Sequence, residues 1–335
     1  LQLTDTVKSG AGRIPKAPAG PQQPSGTPAM PMPMPMPARD LPAPPIAALD
    51  PRRNAFRPGL AAKYLEGQVE AERFVEGVPA QVMRASVPLR LKPDYTRGFE
   101  TEVLYGETVT IFDETDGWAW VQSKRDQYVG YLPADSLSRN VLVPTHRVQA
   151  LGTFLYPEPN FKTPPLQHLP LNAVVTVRST DEKYAELHNG GFVSLRHIWP
   201  LARSARDFVD VAERFIGVPY LWGGRTRIGL DCSGLVQTSL HASGIPAPRD
   251  SDMQMAELGA SIPISDVDER LTRGDLVFWP GHVGIMSDSI MMVHANAHHM
   301  AVVIEPLPDA ISRISRTGSH ILAVKRMGRL TAAGA

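Results

Sequence analysis

Apolar and polar positions along this chain follow three rhythms, and each predicts a different kind of element. Near the start there is no periodicity. Residues 1 to 48 hold twelve of the 32 prolines, including the alternation Pro31-Met32-Pro33-Met34-Pro35-Met36-Pro37. Proline fixes φ and removes the amide donor, so this stretch predicts a disordered, polyproline-like tail. Over 49–76, Leu60, Tyr64, Leu65, Val69 and Phe74 fall near helical spacing, with Glu66, Glu70 and Glu72 between them, predicting a helical lead-in. From 77 to 140 the period shortens. Glu102–Leu104, Thr108–Phe112, Trp118–Val121 and Tyr128–Leu132 are rich in aromatic and β-branched residues, and Tyr105-Gly106, Asp116-Gly117 and Lys124-Arg125-Asp126 separate them as turns. Short strands at this spacing suit a small barrel. Residues 141–202 repeat the pattern more weakly, with strands over Ala173–Val177, Tyr184–Leu187 and Gly191–Ser194, a closing run Leu195–Trp199, and a proline-marked loop before them. At 203 the helical rhythm takes over: Phe208, Val209, Val211, Ala212, Phe215 and Ile216 form an apolar stripe, and Gly217 and Pro219 end it. This helix opens a last domain over 203–330.

Composition narrows the function classes. A hydrophobic content of 43% and a charged content of 20% are ordinary for a globular protein, and 335 residues exceed a single core. The 34 basic and 34 acidic residues balance, so no basic field exists to hold a nucleic acid. No apolar run reaches the ~18 residues of a membrane-spanning helix. The first ten residues lack the basic-then-apolar pattern of a secretory leader, yet the chain opens on Leu1. Compartment, cytoplasmic or periplasmic, therefore stays open. A single cysteine excludes an internal disulfide and a cysteine-rich zinc cluster.

That cysteine, Cys232, ends the run Tyr220-Leu221-Trp222-Gly223-Gly224-Arg225-Thr226-Arg227-Ile228-Gly229-Leu230-Asp231. Asp231 is suited to cap a helix starting at Cys232, and Gly244 and Pro246 mark its end. In the first turn of a helix, orphan amides and the macrodipole favour negative charge and lower a thiol's pKa, and the thiolate is the nucleophile. The alternative is a buried, inert cysteine. A base is available in His282, with His294 twelve residues further on. An antiparallel hairpin centred on Asp288 with an odd-numbered loop places residue 282 opposite 294, on one face. His294 would then orient His282. Two blander readings remain: polar residues on a sheet face, or a metal site using His294, His298 and His299, though a catalytic zinc wants three dispersed ligands.

Two resemblances follow from these residues. Gly106-Glu107-Thr108-Val109, Gly117-Trp118-Ala119-Trp120-Val121 and Tyr128-Val129-Gly130-Tyr131-Leu132 resemble a bacterial SH3 domain, with Trp118 assigned to the barrel core and Trp120 to the outer face, where it can line a groove. A second barrel of this kind is expected over 141–202. The ordered set Tyr220–Gly224, Asp231–Val236, Pro248–Ser251 with Gln254, Arg273–Phe278, His282–Ile285 and His294-Ala295 resembles the NlpC-type cysteine peptidases of bacterial cell-wall turnover, in the γ-D-glutamyl-L-diamino acid peptidase branch that carries SH3 domains. Met286 departs from the family's frequent aromatic and is expected to reshape the pocket floor.

The resemblance implies an α+β chain: a papain-like catalytic domain preceded by two SH3-like barrels and the proline-rich tail. It implies hydrolysis of the γ-D-glutamyl–diamino acid bond in peptidoglycan stem peptides or muropeptide fragments, with a preference for a free N-terminal L-Ala and no cofactor or metal. Cys232 would be the nucleophile, His282 the base and later acid, and His294 its orienter. Tyr220 would border the oxyanion site, and Asp231, Ser233 and Arg249 would contact the peptide, Asp231 meeting its free amine. Trp120, Asp126 and Tyr128 are candidates for a cleft wall supplied by the first barrel. The competing readings are a non-catalytic wall-binding protein, and an amidase or acyltransferase using the same Cys-His-His machinery.

Overall fold

A computed structural model describes residues 49–263 and 271–328. The expected proline-rich tail over 1–48 lies outside the described residues. The lead-in after it is not the amphipathic helix that its spacing predicts. Phe56–Arg57 pairs antiparallel with Leu60–Ala62, which pairs in parallel with Phe74–Val75, and only a single 3-10 turn, Lys63–Leu65, is helical. Gly59 sits at φ 86°, a turn that no continuous helix would tolerate. Ala55, Leu60, Ala62 and Leu65 instead pack on Trp120 and Val129 of the next unit, so tertiary burial overrides the local period.

The first β unit is a five-stranded antiparallel sheet ordered 137–138, 78–82, 108–115, 118–123, 129–133, joined by the hairpin Ser86–Leu89 and Thr101–Leu104. Its turn at Asp116-Gly117 has φ of 52° and 78°, the left-handed pair that a tight hairpin demands. The Trp118 assignment needs correction, whereas Trp120 does face outward from the barrel core. Side chains alternate along a strand, so Trp118 and Trp120, two residues apart, share a face. Ala119 and Val121 fill the barrel core, while Trp120 is buried outside it beneath the lead-in, and half-buried Trp118 packs on Tyr95 at 4.4 Å between ring centroids. Trp120 lines an outer cavity with Arg57, Trp118 and Tyr131, separate from the one over the thiol.

A second β unit follows, with strands at 146–148, 152–155, 167–170, 174–175, 177–180, 184–187, 192–194 and 198–200 around its own core of Val148, Leu169, Ala185, Leu187, Val193 and Ile198. The pair 152–155 and 167–170 brackets the proline-marked loop.

The last domain begins with helix α1, Phe208–Glu213, capped by Asp207. Helix α2, Cys232–Ala242, is buried along its whole length. Helix α3 covers Ser251–Glu257, and α4 covers Leu307–Ser315. An antiparallel six-stranded sheet is ordered 260–262, 323–326, 275–279, 282–286, 291–296, 301–306. Alternation divides its residues. Val283, Ile285, Val293 and Ala295 pack with α1 and α2, whereas Trp279, Met286, Met292 and Val324 pack with Leu307 and Ala310 of α4. Met286 is thus a core residue under α4, not part of a pocket floor. No described helix is long and apolar enough to cross a membrane.

Candidate active site

Cys232 is the first residue of α2, and Asp231 is its N-cap: Oδ1 accepts the Gly234 amide at 2.7 Å. Its other oxygen accepts the Gly223 amide at 2.7 Å and Arg249 Nη2 at 2.6 Å, while Ser233 Oγ donates to Oδ1 at 3.3 Å. A carboxylate has about four acceptor sites, and all are taken. Asp231 therefore shapes the loop and the helix start at once, and has no lone pair left for a substrate amine. Arg249, 1% exposed, also donates to Ser233 Oγ (2.7 Å) and Thr101 Oγ1 (2.9 Å). The loop is also clasped from the first β unit: the Arg225 amide donates to Glu102 Oε2 at 2.7 Å and its Nη1 to the Glu102 carbonyl at 2.6 Å. Gly223, at φ 80°, passes so close to Phe99 that a Cβ would fall 2.6 Å from the Phe99 carbonyl oxygen, which explains the glycine there.

The strand His282–Met286 supplies the facing half. Cys232 Sγ lies 3.9 Å from the Gly281 carbonyl and takes a hydrogen bond from the Val283 amide, so it is flanked by the residues on either side of His282. His282 Nε2 is 2.8 Å from His294 Nδ1, and His294 Nε2 is 2.7 Å from Glu305 Oε1. The hairpin differs in detail from the one expected. Ile285 pairs with Val293 and Met286 with Met292, and the Ser287 amide bonds Met291, leaving the three-residue loop 288–290. Its centre is Ser289, so the histidines are diagonal neighbours on one face instead of directly opposed; the odd loop and shared face hold.

This chain of contacts fixes the tautomers. Burial works against ionisation of Glu305, yet the hydrogen bond from His294 and the charge of Arg313 hold its carboxyl below the usual range. An ionised carboxylate only accepts, so His294 Nε2 carries the proton, and Asn296 Nδ2, 3.0 Å from that nitrogen, is a second donor it cannot accept from. Burial keeps His294 neutral, with its pKa lowered. Its Nδ1 then accepts from His282 Nε2, and His282 Nδ1 is left with a free lone pair. Trp279 packs against the His282 ring at 5.7 Å.

The resting electrostatics run opposite to the helix-terminus expectation. Burial first, and then the charge of Asp231, push the Cys232 thiol up to about 12. Burial, then His294, lowers His282 to about 3. Thiol and imidazole both rest neutral, with burial the largest cause in each case.

The cleft over the thiol is a cavity of about 320 Å³. Tyr220, Asp231, Ser233 and Arg249 all line it, as does Tyr128 of the first β unit, whose hydroxyl donates to Asp250 Oδ2 at 3.0 Å. Of the other wall candidates, Asp126 is buried behind α2, accepting from Gln237 Nε2 at 2.9 Å, and Trp120 lies under the lead-in. Three wall residues escaped the sequence reading: Glu100, Leu91 and Arg52, the last bonded to Asp50, Asp250 and Asp252. The Glu100 carboxylate makes no hydrogen bond or ion pair among the described residues, and only its backbone amide is bonded, to the Leu89 carbonyl at 2.9 Å. Glu305 and Arg313 were missed too; a lone glutamate in the otherwise apolar run Ala301–Pro306 is the signal that could have raised the first. The same residues give the metal reading no set of ligands: His294 is engaged by His282 and Glu305, and His299 by Asn296.

Residues 217–316 match the NlpC/P60 family, and residues 89–137 match the bacterial dipeptidyl-peptidase SH3 domain. A γ-D-glutamyl-L-lysine dipeptidyl-peptidase of Bacillus subtilis is 27% identical over 233 residues, 63% of this chain and 77% of that protein. Dipeptidyl-peptidase 6 of Lysinibacillus sphaericus is 26% identical over 65% of this chain and 87% of its own. An NlpC/P60 family crystal structure from Bacillus cereus aligns with a TM-score of 0.63 at 22% identity, covering 74% of this chain and 99% of that one, which shows a shared fold.

Proposed function

The chain is a cysteine-type peptidase with an NlpC/P60 domain behind a bacterial SH3 domain, and from that premise we propose that it hydrolyses the γ-D-glutamyl–diamino acid bond of peptidoglycan stem peptides carrying a free N-terminal L-Ala. The observation that carries the reading is Cys232 at the start of α2, beside the Gly281 carbonyl that precedes His282, with His282 joined through His294 to Glu305 and the first β unit walling the cleft over the thiol. The names of the curated relatives support the choice of bond.

Because thiol and imidazole rest neutral, proton transfer accompanies attack. His282 Nδ1 takes the Sγ proton as the sulfur bonds the γ-carbonyl carbon, and the carbonyl electrons move to oxygen. The amide of Cys232, first in α2 and without an intrahelical partner, and the Tyr220 hydroxyl are the donors for that oxyanion. Burial, then the Cys232 and Asp231 charges, raises the Tyr220 pKa, so its proton stays available. Collapse breaks the C–N bond while His282 returns the proton to the leaving amine, and water then hydrolyses the thioester with His282 again as base. His294 and Glu305 hold the tautomer that makes this possible. For the substrate's ammonium group, Asp231 is saturated, and Glu100 is the unpaired carboxylate that the first β unit presents to the cleft. The second β unit, read as another SH3-like barrel, supports from behind.

Replacing Cys232 with Ala removes cleavage of L-Ala-γ-D-Glu-diaminopimelate while the circular dichroism spectrum is unchanged; retained turnover refutes the assignment. The raised thiol also sets a pH test. Below its pKa the thiolate fraction climbs about tenfold per pH unit, so alkylation of Cys232 by iodoacetamide rises about a thousandfold from pH 6 to 9. A rate already level near pH 7 would show a thiolate–imidazolium pair instead.

A further inference from the structure

A second cavity of about 320 Å³ is lined by His282. Cys232 and Gly281 line the first cavity but not this one; His282 lines this one but not the first. The chemistry assigns the two sides. The acyl group stays on the sulfur, whereas the leaving amine must take its proton from His282. The cavity beside His282 is therefore where the leaving amino acid sits.

Its walls carry Trp279, Asn296, His298, Arg313 and Ser319, and none of its lining residues is acidic. Arg313 is its one charged side chain. The guanidinium reaches Glu305 with Nη2 at 2.6 Å and Nη1 at 3.3 Å, and its remaining donors are unassigned to any acceptor. A guanidinium has five N–H donors in a planar fork that matches a carboxylate. A lysine side chain would bring only an ammonium into this space, with no carboxylate to meet it. Diaminopimelate brings a carboxylate with its amine.

We infer that this cavity is a carboxylate-recognising subsite for the leaving diamino acid, with Arg313 as its anchor and His298, Asn296 and Ser319 as additional polar partners. This rests on the reading above. Two carboxylates could fill the role, the side-chain carboxylate of diaminopimelate or the α-carboxylate of a terminal residue, and the test separates them.

The test compares kcat/KM of the full chain for L-Ala-γ-D-Glu-meso-diaminopimelate, L-Ala-γ-D-Glu-L-Lys and the C-terminal amide of the lysine peptide. Hydrogen bonds to charged groups of this kind give a preference of about tenfold or more. A diaminopimelate/lysine ratio of that size that falls toward one in Arg313→Met, and is partly kept in Arg313→Lys, assigns the side-chain carboxylate. A similar loss on amidation, erased by Arg313→Met, assigns the α-carboxylate. Arg313 also braces Glu305, so Arg313→Met slows every peptide; only the ratios report on the subsite. Ratios unchanged by Arg313→Met overturn the inference while leaving the peptidase reading intact. If the wild-type chain cleaves none of these peptides, the substrate reading fails, and titration of the protein with free meso-diaminopimelate then decides the subsite. Binding that Arg313→Met abolishes supports it, and no binding at millimolar ligand overturns it.

Discussion

The two β units ahead of the catalytic domain are of similar size, yet they meet it in different ways. The first reaches the site from the front: Thr101 bonds Arg249, Glu102 holds the Arg225 loop, and Tyr128 bonds Asp250. Glu100 and Leu91 of the same unit line the cleft itself. The second unit meets the catalytic domain away from the cleft: Asn172 Nδ2 donates to the Thr238 carbonyl at 2.8 Å, Arg147 Nη1 to the His241 carbonyl at 2.9 Å, and the Gln149 carbonyl accepts from Arg214 Nη2 at 3.2 Å, while Leu171 packs into the domain core. None of its residues lines the cavity over the thiol. The two β units thus meet the catalytic domain differently, the first at the cleft over the thiol and the second away from it.

That division can be broken in order of severity. Arg249→Met cuts the link between the first unit and the helix start, and leaves Asp231 buried without its partner. Removing one member of such a pair costs about 3–5 kcal/mol, so the denaturant midpoint falls and activity is lost with it; an unshifted midpoint would mean that the link is dispensable. Glu100→Gln acts only on recognition. It raises KM for the free-amine peptide about tenfold, leaves kcat near wild type, and does not alter turnover of the N-acetylated peptide. Equal effects on both peptides would move the amine contact elsewhere. Asn172→Ala tests the contact away from the cleft. It removes one buried hydrogen bond and places alanine at φ 69°, for a loss of about 1–3 kcal/mol. KM for either peptide stays the same, and a change in peptide preference would contradict that division.

The contrast also explains what was legible in the sequence. Strands of the first unit show because their turns are punctuated by glycine and aspartate and their cores by β-branched residues. The helix start at Cys232 shows because a capping aspartate and a terminal Gly244 frame it. The lead-in misled because its apolar spacing serves a long-range contact with Trp120, which local periodicity cannot reveal. Trp118 misled because strand alternation puts it on the same outer face as Trp120, whose cover comes from a segment more than fifty residues earlier. The direction of the thiol's pKa shift was hidden for the same reason: helix position is local, whereas the burial that dominates it comes from the packing of the whole domain. Glu305 and Glu100 are placed beside the site only by the fold.

The measurement that bears most directly on the account is mass spectrometry of a timed digest of L-Ala-γ-D-Glu-meso-diaminopimelate beside its N-acetyl form. The account predicts L-Ala-D-Glu and free diaminopimelate as the products, formed at least about tenfold faster from the free amine than from the acetylated peptide, and neither product with Cys232→Ala. Cleavage at another bond, equal rates for the two peptides, or products persisting without the thiol would contradict it.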